Sequence, residues 1–548
     1  MNWQVSIFFL LLILKQIQSA THVGGVLFEN TVWTNTGSAN TYYLLKNIQI
    51  PKNVTLTIGE GVKVSFALGD FEIFVKGRIN ISGTSENPVI FQGGSANDKK
   101  WMMTFQSTQL SLSSISYAHF MGPKKALQLV DAPDGIVENN GTLIVQSSTF
   151  SDNSVVAVNG MHNNWATSSI PRLRFESCTF NKATISSIGL YSEPIIIVNS
   201  RISDTTFYPR ALYEGIQMDG CNLTDNTFIY DMSNSPNIVR LKNSNVKGMS
   251  LLVLIDQYIR YEFYVTKSIV ENFFIKNMYY NGGGSLYHTI VSFEQSIITN
   301  FSTSFPLSYE YVDYRYYQVL IRNCSFTTGN LNFTYNDSPQ FILIEYSQLR
   351  NVNIIGKRSE RTMDYVRITS RQLTMRYVTF IDGSITFTNG QTDISYSNIT
   401  LTVPPLALNG SSIITCSSIS RSDSIPQQNT TGINARNLRL LRSTVKNFAV
   451  GLQIATTSLY NVEISQTNFI DNSAYNLENR GPYNIRVSDI YWGTNNTQTI
   501  LNKIIDYWDN INYGYVISTN DALSPLLVET SCYATTTPPV ETGTYATI

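Results

Sequence analysis

Apolar and polar residues alternate along most of this chain. Ile48, Val54, Leu56, Ile58, Val62, Val64 and Phe66 recur at even steps, and Ile73, Val75, Ile79, Ile81 and Phe91 extend the run. A period of two is the signature of β-strands with one buried face. The pattern changes near the C-terminus. In "DIYWGTNNTQTILNKIIDYWDN", residues 489–510, Ile500, Leu501, Ile504, Ile505 and Trp508 recur at steps of one, three and four. That spacing gathers them on one helical face. Asn496 is placed to cap the start and Asn510 the end, which predicts an amphipathic helix over 496–509.

A second, longer period overlies the alternation. A five-residue phrase recurs: small residue, any, apolar, any, Asp or Asn. It reads "STFSD" at Ser148–Asp152, "SRISD" at Ser200–Asp204, "CNLTD" at Cys221–Asp225, "SIVEN" at Ser268–Asn272 and "SIITN" at Ser296–Asn300. It returns as "SQLRN" at Ser347–Asn351, "STVKN" at Ser443–Asn447 and "TNFID" at Thr467–Asp471. Weaker copies fall on Phe120, Phe180, Val246, Phe326, Phe380, Ile399 and Ile419. The fifteen apolar anchors are spaced by 19 to 31 residues, with a mean of about 25.

An irregular period of this size fits a right-handed parallel β-helix, in which one coil takes about 22–25 residues and any coil can carry an inserted loop. The small slot and the anchor are two apart, so both face inward. The small slot is Ser at nine of fifteen positions, Cys at Cys178, Cys221 and Cys324, and Ala118, Val378 and Thr467 at the rest. A narrow part of the interior explains that restriction. The Asp/Asn slot suits turns that need left-handed backbone. Fifteen coils at the interstrand spacing predict a rod of roughly 70 Å. A set of β-sandwiches does not predict one phrase recurring along the whole chain. The predicted class is all-β: a right-handed parallel β-helix with an N-terminal β cap and a short C-terminal amphipathic helix cap. An open solenoid end exposes unpaired backbone and core, so a helix at that place reads as its cover.

The N-terminal stretch carries a resemblance. "GGVLFENTVWTNTGSANTYYLLKNIQIPKNVTLTIGEGVKVSF" and "KGRINISGTSENPVIFQ" hold Trp33, Thr34, Pro51, Leu56, Ile58, Gly61, Val62, Phe66, Gly77, Gly83, Thr84, Pro88, Ile90 and Phe91 in a recurring order. Together with the C-terminal "YWGTNNTQTILNKIIDYWDNINYG", this resembles the β-helix regions of secreted bacterial surface proteins and of the animal bark beetle protein of cell junctions. The middle matches only through the coil phrase. The resemblance implies a β-helix displayed outside the cell.

Composition narrows the function classes. The net charge is −1 and only 14 % of the 548 residues are charged, which excludes the dense positive charge of nucleic-acid or polybasic membrane contacts. Ile7 to Leu14 form a short apolar core followed by "KQIQSA", the pattern of a secretory signal over 1–20. No other long apolar run occurs, so no membrane span is expected in the mature chain, which is expected to be extracellular. The expected organisation is a signal at 1–20, an N-terminal cap and first coils at 21–110, coils at 111–488, a C-terminal cap at 489–528 and a Thr/Pro-rich tail at 529–548. Glycosylation sequons start at Asn53, Asn80, Asn140, Asn222, Asn300, Asn323, Asn332, Asn336, Asn398, Asn409, Asn429 and Asn495. Of five cysteines, Cys178 and Cys221 lie two coils apart, too far to pair, and read as small buried residues. Cys416 stands near the slot but outside it, and Cys532 lies in the tail, where it is free to pair between molecules.

Catalytic motifs are not visible. Many parallel β-helices are polysaccharide lyases or hydrolases, yet this chain has no Asp-Asp pair, no Gly-His-Gly and no Arg-Ile-Lys. Its four His (His22, His119, His162, His288) are scattered. Asp204 and Asp225 are able to reach the separation of about 5–10 Å that glycosidic chemistry needs, but they read first as turn formers. No cofactor and no metal site are expected. Tyrosines crowd residues 258–317: Tyr258, Tyr261, Tyr264, Tyr279, Tyr280, Tyr287, Tyr309, Tyr311, Tyr314, Tyr316 and Tyr317. Their flat rings and hydroxyls suit glycans or protein partners, and they form the expected binding patch. The sequence therefore favours a noncatalytic secreted β-helix protein presenting a rigid surface to glycans or extracellular proteins. The alternative is a carbohydrate-active enzyme of lyase or hydrolase type whose site is not recognisable.

Overall fold

The computed structural model describes residues 20–527 except 38–39, 68, 94–100, 107–109, 131–140, 152–153, 161–171, 190–194, 212–214, 231–236, 256–259, 280–286, 305–314, 333–339, 357–370, 388–390, 403, 456–461 and 507. Among the described residues nearly all regular structure is β, in parallel pairings, with one 3-10 turn at Leu110–Leu112 and one short helix, α1, at Thr497–Leu501. The chain forms two compact units, Met1–Gly283 and Gly284–Ile548, and each is a parallel β-solenoid.

In the N-terminal unit a strand pairs with the strand one coil away, not with its neighbour in sequence. Thr149–Ser151 lies between Ala118–Met121 and Thr179–Asn181. Register follows the anchors: Phe91, Phe120, Phe150, Phe180, Ile202, Leu223, Val246 and Val270 are each the direct partner of the next. All are at most 1 % exposed. The rings of Phe91, Phe120, Phe150 and Phe180 stack at 5.1, 4.9 and 5.0 Å, within 10° of parallel. That distance is the interstrand spacing, so coil stacking itself builds the aromatic column. The first coils use the residues of the N-terminal resemblance. Leu56, Ile58, Val62, Phe66 and Phe91 are buried, and Trp33 stacks on Tyr42 at 4.8 Å. Gly77 is needed for close approach: a Cβ there would stand 2.2 Å from the Pro51 carbonyl oxygen.

In the C-terminal unit Ile298, Phe326, Leu349, Phe380, Ile399, Ile419, Val445 and Phe469 repeat the same in-register column. Trp492 continues it, stacked on Phe469 at 5.6 Å.

The small slot has a second reason besides space. In both units the residue before it turns the corner with a left-handed backbone. φ is +47° to +54° at Tyr117, Ser147, Ser177, Asn199, Asn243 and Lys267, and again at Gln295, Asn323, Tyr346, Tyr377, Tyr396, Cys416, Arg442 and Gln466. The corner N–H reaches a carbonyl of the next coil, as from Ser147 to Glu176 and from Tyr346 to Arg376. The following slot N–H then points at the side chain of the next slot. Ala118, Cys178, Ser244, Cys324, Val378, Ser397 and Ser417 donate to Oγ of Ser148, Ser200, Ser268, Ser347, Ser397, Ser417 and Ser443 at 3.0–3.2 Å. Each serine hydroxyl donates in turn to the carbonyl two residues back, as Ser148 to Gln146 and Ser417 to Thr415, both at 2.8 Å. Serine fits because it is small and can both accept and donate. The turn slot is left-handed as well, with φ of +48° at Asp204, +52° at Asp225, +57° at Asn300 and +53° at Asn351.

The expected helix over 496–509 is present only as α1. Asn496 caps it, accepting the Thr499 N–H at 3.0 Å, but the helix ends at Asn502 instead of Asn510. Ile504–Ile505 leave the helix to pair with Leu477 and Glu478, so the sheet ladder outcompetes further helix. No residue of α1 is buried, and Trp508 is 81 % exposed. The end of the core is closed by Trp492, 2 % exposed, and by buried asparagines. Asn472 donates to the Val445 carbonyl, and Asn476 to the Trp492 carbonyl at 2.7 Å. The chain then turns back. Val516–Thr519 pairs with the strand Ile485–Tyr491, Ala522 donates to the Ile490 carbonyl, and Leu526 exchanges two 2.9 Å bonds with the Asn468 amide.

Candidate functional site

Three consecutive corners of the C-terminal unit are tyrosines. The register that aligns the anchors also stacks Tyr346 on Tyr377 and Tyr377 on Tyr396, each at 4.9 Å and within 9° of parallel. A left-handed corner costs a bulky residue conformational energy. Ring stacking and the corner hydrogen bonds, 3.0–3.2 Å from Tyr346, Tyr377 and Tyr396 to Arg376, Ser395 and Thr415, offset it. Tyr346 is 45 % exposed; Tyr377 and Tyr396 are half-buried. Beyond Tyr396 the ladder is closed by Cys416 and Leu526, which pack together.

Charged residues flank the rings. Glu294, Arg322, Glu345 and Arg376 are direct register partners in sequence, with alternating sign. Arg322 holds Glu345 at 3.1 Å and Arg376 holds Asp393 at 3.5 Å. These exposed pairs contribute about 1 kcal/mol or less each, so they shape the surface more than they stabilise it. The corner therefore presents ring edges, phenol hydroxyls and paired charges at coil spacing.

The tyrosines expected between 258 and 317 fare differently. Tyr258, Tyr280, Tyr309, Tyr311 and Tyr314 lie outside the described residues, as do the side chains of Tyr261, Tyr279, Tyr287, Tyr316 and Tyr317. Tyr264 is half-buried, and its hydroxyl donates to Glu262 at 2.8 Å. Among the sequon asparagines, Asn53, Asn222, Asn300, Asn323, Asn398, Asn429 and Asn495 are exposed, while Asn80 and Asn409 are half-buried. Asn140, Asn336 and the Asn332 side chain lie outside the described residues, as do residues 1–19 and Cys532.

Asp204 and Asp225 stand at corresponding turns of adjacent coils. The Asp225 carboxylate leans over Gly248, where a Cβ would stand 2.2 Å from Oδ1, so it serves the turn ladder. Cys178, Cys221 and Cys324 are buried free thiols in the serine slot. They accept the N–H of Ser148, Ser200 and Ser296 and face the carbonyls of Glu176, Asp219 and Arg322. Burial pushes the Cys178 and Cys221 thiols up to about 11 and Cys324 to about 12, so they stay protonated and unreactive at neutral pH. Cys416 is disulfide-bonded. Among the described residues no group of three or more His, Cys, Asp or Glu is placed to hold a metal ion, and no helix is long and apolar enough to cross a membrane.

The corner tyrosines were not singled out from the sequence. They are 31 and 19 residues apart, and unequal coil lengths hide the column. Placing each anchor in register and then reading three residues before it would have found them.

No protein-family model matches this sequence, and no curated protein matches it. Among solved structures the chain is similar to a mutant of the tailspike protein of E. coli bacteriophage HK620, solved in complex with a pentasaccharide, at 9 % identity. The match covers 91 % of this chain and 70 % of that one, with a TM-score of 0.18.

Proposed function

We propose that this is a noncatalytic secreted β-helix protein that presents a rigid corner of its coils to extracellular glycans. The observation that carries this reading is the stacked ladder Tyr346–Tyr377–Tyr396, flanked by Arg322, Glu345 and Arg376. The ring edges offer apolar contact to sugar rings, and the phenol hydroxyls and flanking charges suit their polar rims. Coil stacking fixes these groups in advance, which lowers the ordering cost of binding. The disulfide at Cys416 supports an oxidising compartment, as does the signal-like N-terminus.

A glycan array probed with the full chain tests the reading. Binding is expected to one glycan class. The double variant Tyr346→Ser, Tyr377→Ser is expected to lose it at least tenfold while keeping the β-rich circular dichroism spectrum. Unchanged binding by that variant would remove the ladder from the site. Release of new reducing or unsaturated ends from a bound glycan would favour the enzyme instead.

A further inference from the structure

We propose that Cys416 and Cys532 of one chain form a disulfide that fastens the start of the Thr/Pro-rich tail to the corner column of the C-terminal unit. The inference does not depend on the glycan-binding reading.

The pairing follows first from the cysteine inventory. The chain has five cysteines, and Cys416 is disulfide-bonded. Cys178, Cys221 and Cys324 are free thiols, buried in the inward slot. Cys532 is therefore the one partner that this chain can offer. The slot thiols do not compete for it. Burial keeps them protonated at neutral pH, and disulfide exchange needs a thiolate.

The place of Cys416 in the fold gives a second reason. It occupies the corner after Tyr396, with a left-handed φ of +50°, and its N–H reaches the Leu441 carbonyl at 3.0 Å. Corner side chains stand outside the core: Tyr346 is 45 % exposed, and Arg442, at the next corner, is exposed as well. Cys416 is only 5 % exposed, because Tyr396 and Leu526 pack against it. Leu526 belongs to the returning C-terminal segment and exchanges two 2.9 Å bonds with the Asn468 amide. Asn468 is in register with Thr444, and Thr444 with Ser418, two residues after Cys416. The returning chain is thus delivered onto Cys416 six residues before Cys532. Six residues span at most about 20 Å, and a disulfide needs Cα atoms about 4–7 Å apart. So short a tether allows the bond and keeps the two sulfurs at high effective concentration, which favours this ring over a bond between molecules.

Closing the bond removes two protons and two electrons from the two thiols. The electrons pass to a protein or small-molecule disulfide of an oxidising compartment, which leaves as two thiols. The returning segment is then held by a covalent bond as well as by the Asn468 amide.

Peptide mapping by mass spectrometry tests this on the full, non-reduced chain made through a secretory route. A peptide containing Cys416 is expected to be linked to one containing Cys532 and to separate on reduction. Cys178, Cys221 and Cys324 are expected to alkylate only after unfolding. Cys532→Ser should remain monomeric, and chymotrypsin should cut it within residues 508–527 about fivefold faster than wild type. Dithiothreitol should bring wild type to the same rate, since the slot cysteines hold no bond to reduce. A dimer linked through Cys532, a free Cys416 thiol or a link from Cys416 to a slot cysteine overturns the pairing. Cleavage of Cys532→Ser at the wild-type rate overturns the fastening. Should Cys532→Ser fail to fold, the reduced wild type decides, and unchanged cleavage on reduction overturns the proposal.

Discussion

At the scale of single residues, one amino acid has opposite roles a few positions apart. Ser417 accepts the Ser397 N–H and donates to the Thr415 carbonyl. Ser417→Ala leaves that buried N–H without an acceptor and is expected to cost about 1–3 kcal/mol in urea unfolding. Ser412 is equally buried, but its hydroxyl has no partner, and neither does that of Thr392, its register neighbour. Ser412→Ala is expected to leave stability unchanged or raise it by about 1 kcal/mol. The cysteines add a pH dependence. Burial raises Cys178, Cys221 and Cys324 above the ordinary 9.0, to about 11, 11 and 12. The unfolded thiols lose protons first. Stability from these sites is therefore complete below pH 9 and falls as pH rises toward 11 to 12. Replacing all three with Ser should flatten that alkaline limb in melting temperatures measured against pH, and an unchanged limb would reject this origin. The slot's small size was legible in the sequence. Its hydrogen-bonding role was not, because the demand arises from the left-handed residue before it. That residue is Tyr, Ser, Asn, Gly, Lys, Gln, Cys or Arg, with no shared chemistry to read.

At the scale of elements, periodicity identified the strands well and the C-terminal helix only at its start. The apolar residues Ile500, Leu501, Ile504, Ile505 and Trp508 look like one helical stripe, yet they divide between α1, a two-residue strand and an exposed turn. A short apolar run near a sheet edge can satisfy either period, and here pairing with Leu477 and Glu478 decides. The consequence is asymmetric. Trp508→Asp is expected to change the melting temperature little, because the ring is already 81 % exposed. Trp492→Ala removes the ring that covers Phe469 and is expected to cost about 3–5 kcal/mol. Comparing the two melts checks which tryptophan closes the core. The candidate site shows the same limit of sequence reading. A crowd of tyrosines between 258 and 317 is visible in the sequence, whereas the stacked ladder needs register to be seen.

At the scale of the whole molecule, register units are the coils, and their lengths differ because insertions fall between anchors. Arg201 is the direct partner of Asn222, so residues 201–221 make one register unit. Deleting them is expected to leave a folded, shorter solenoid, since Ser200 then continues into the strand that begins at Asn222. Deleting only 201–210 removes the partners of Phe180 and Ile185 and leaves a coil too short to close, and is expected to destabilise the unit locally, as limited proteolysis would show. The returning C-terminal segment bears on a different property. After the last strand the chain doubles back past Ile490 to Asn468, so Leu526 is fastened below the terminal coil, not at its free end. Fraying from the C-terminal side must therefore break the paired Leu526–Asn468 bonds before the terminal coil is released. The outermost coil is clasped beneath its own tether, so it cannot be peeled away one hydrogen bond at a time.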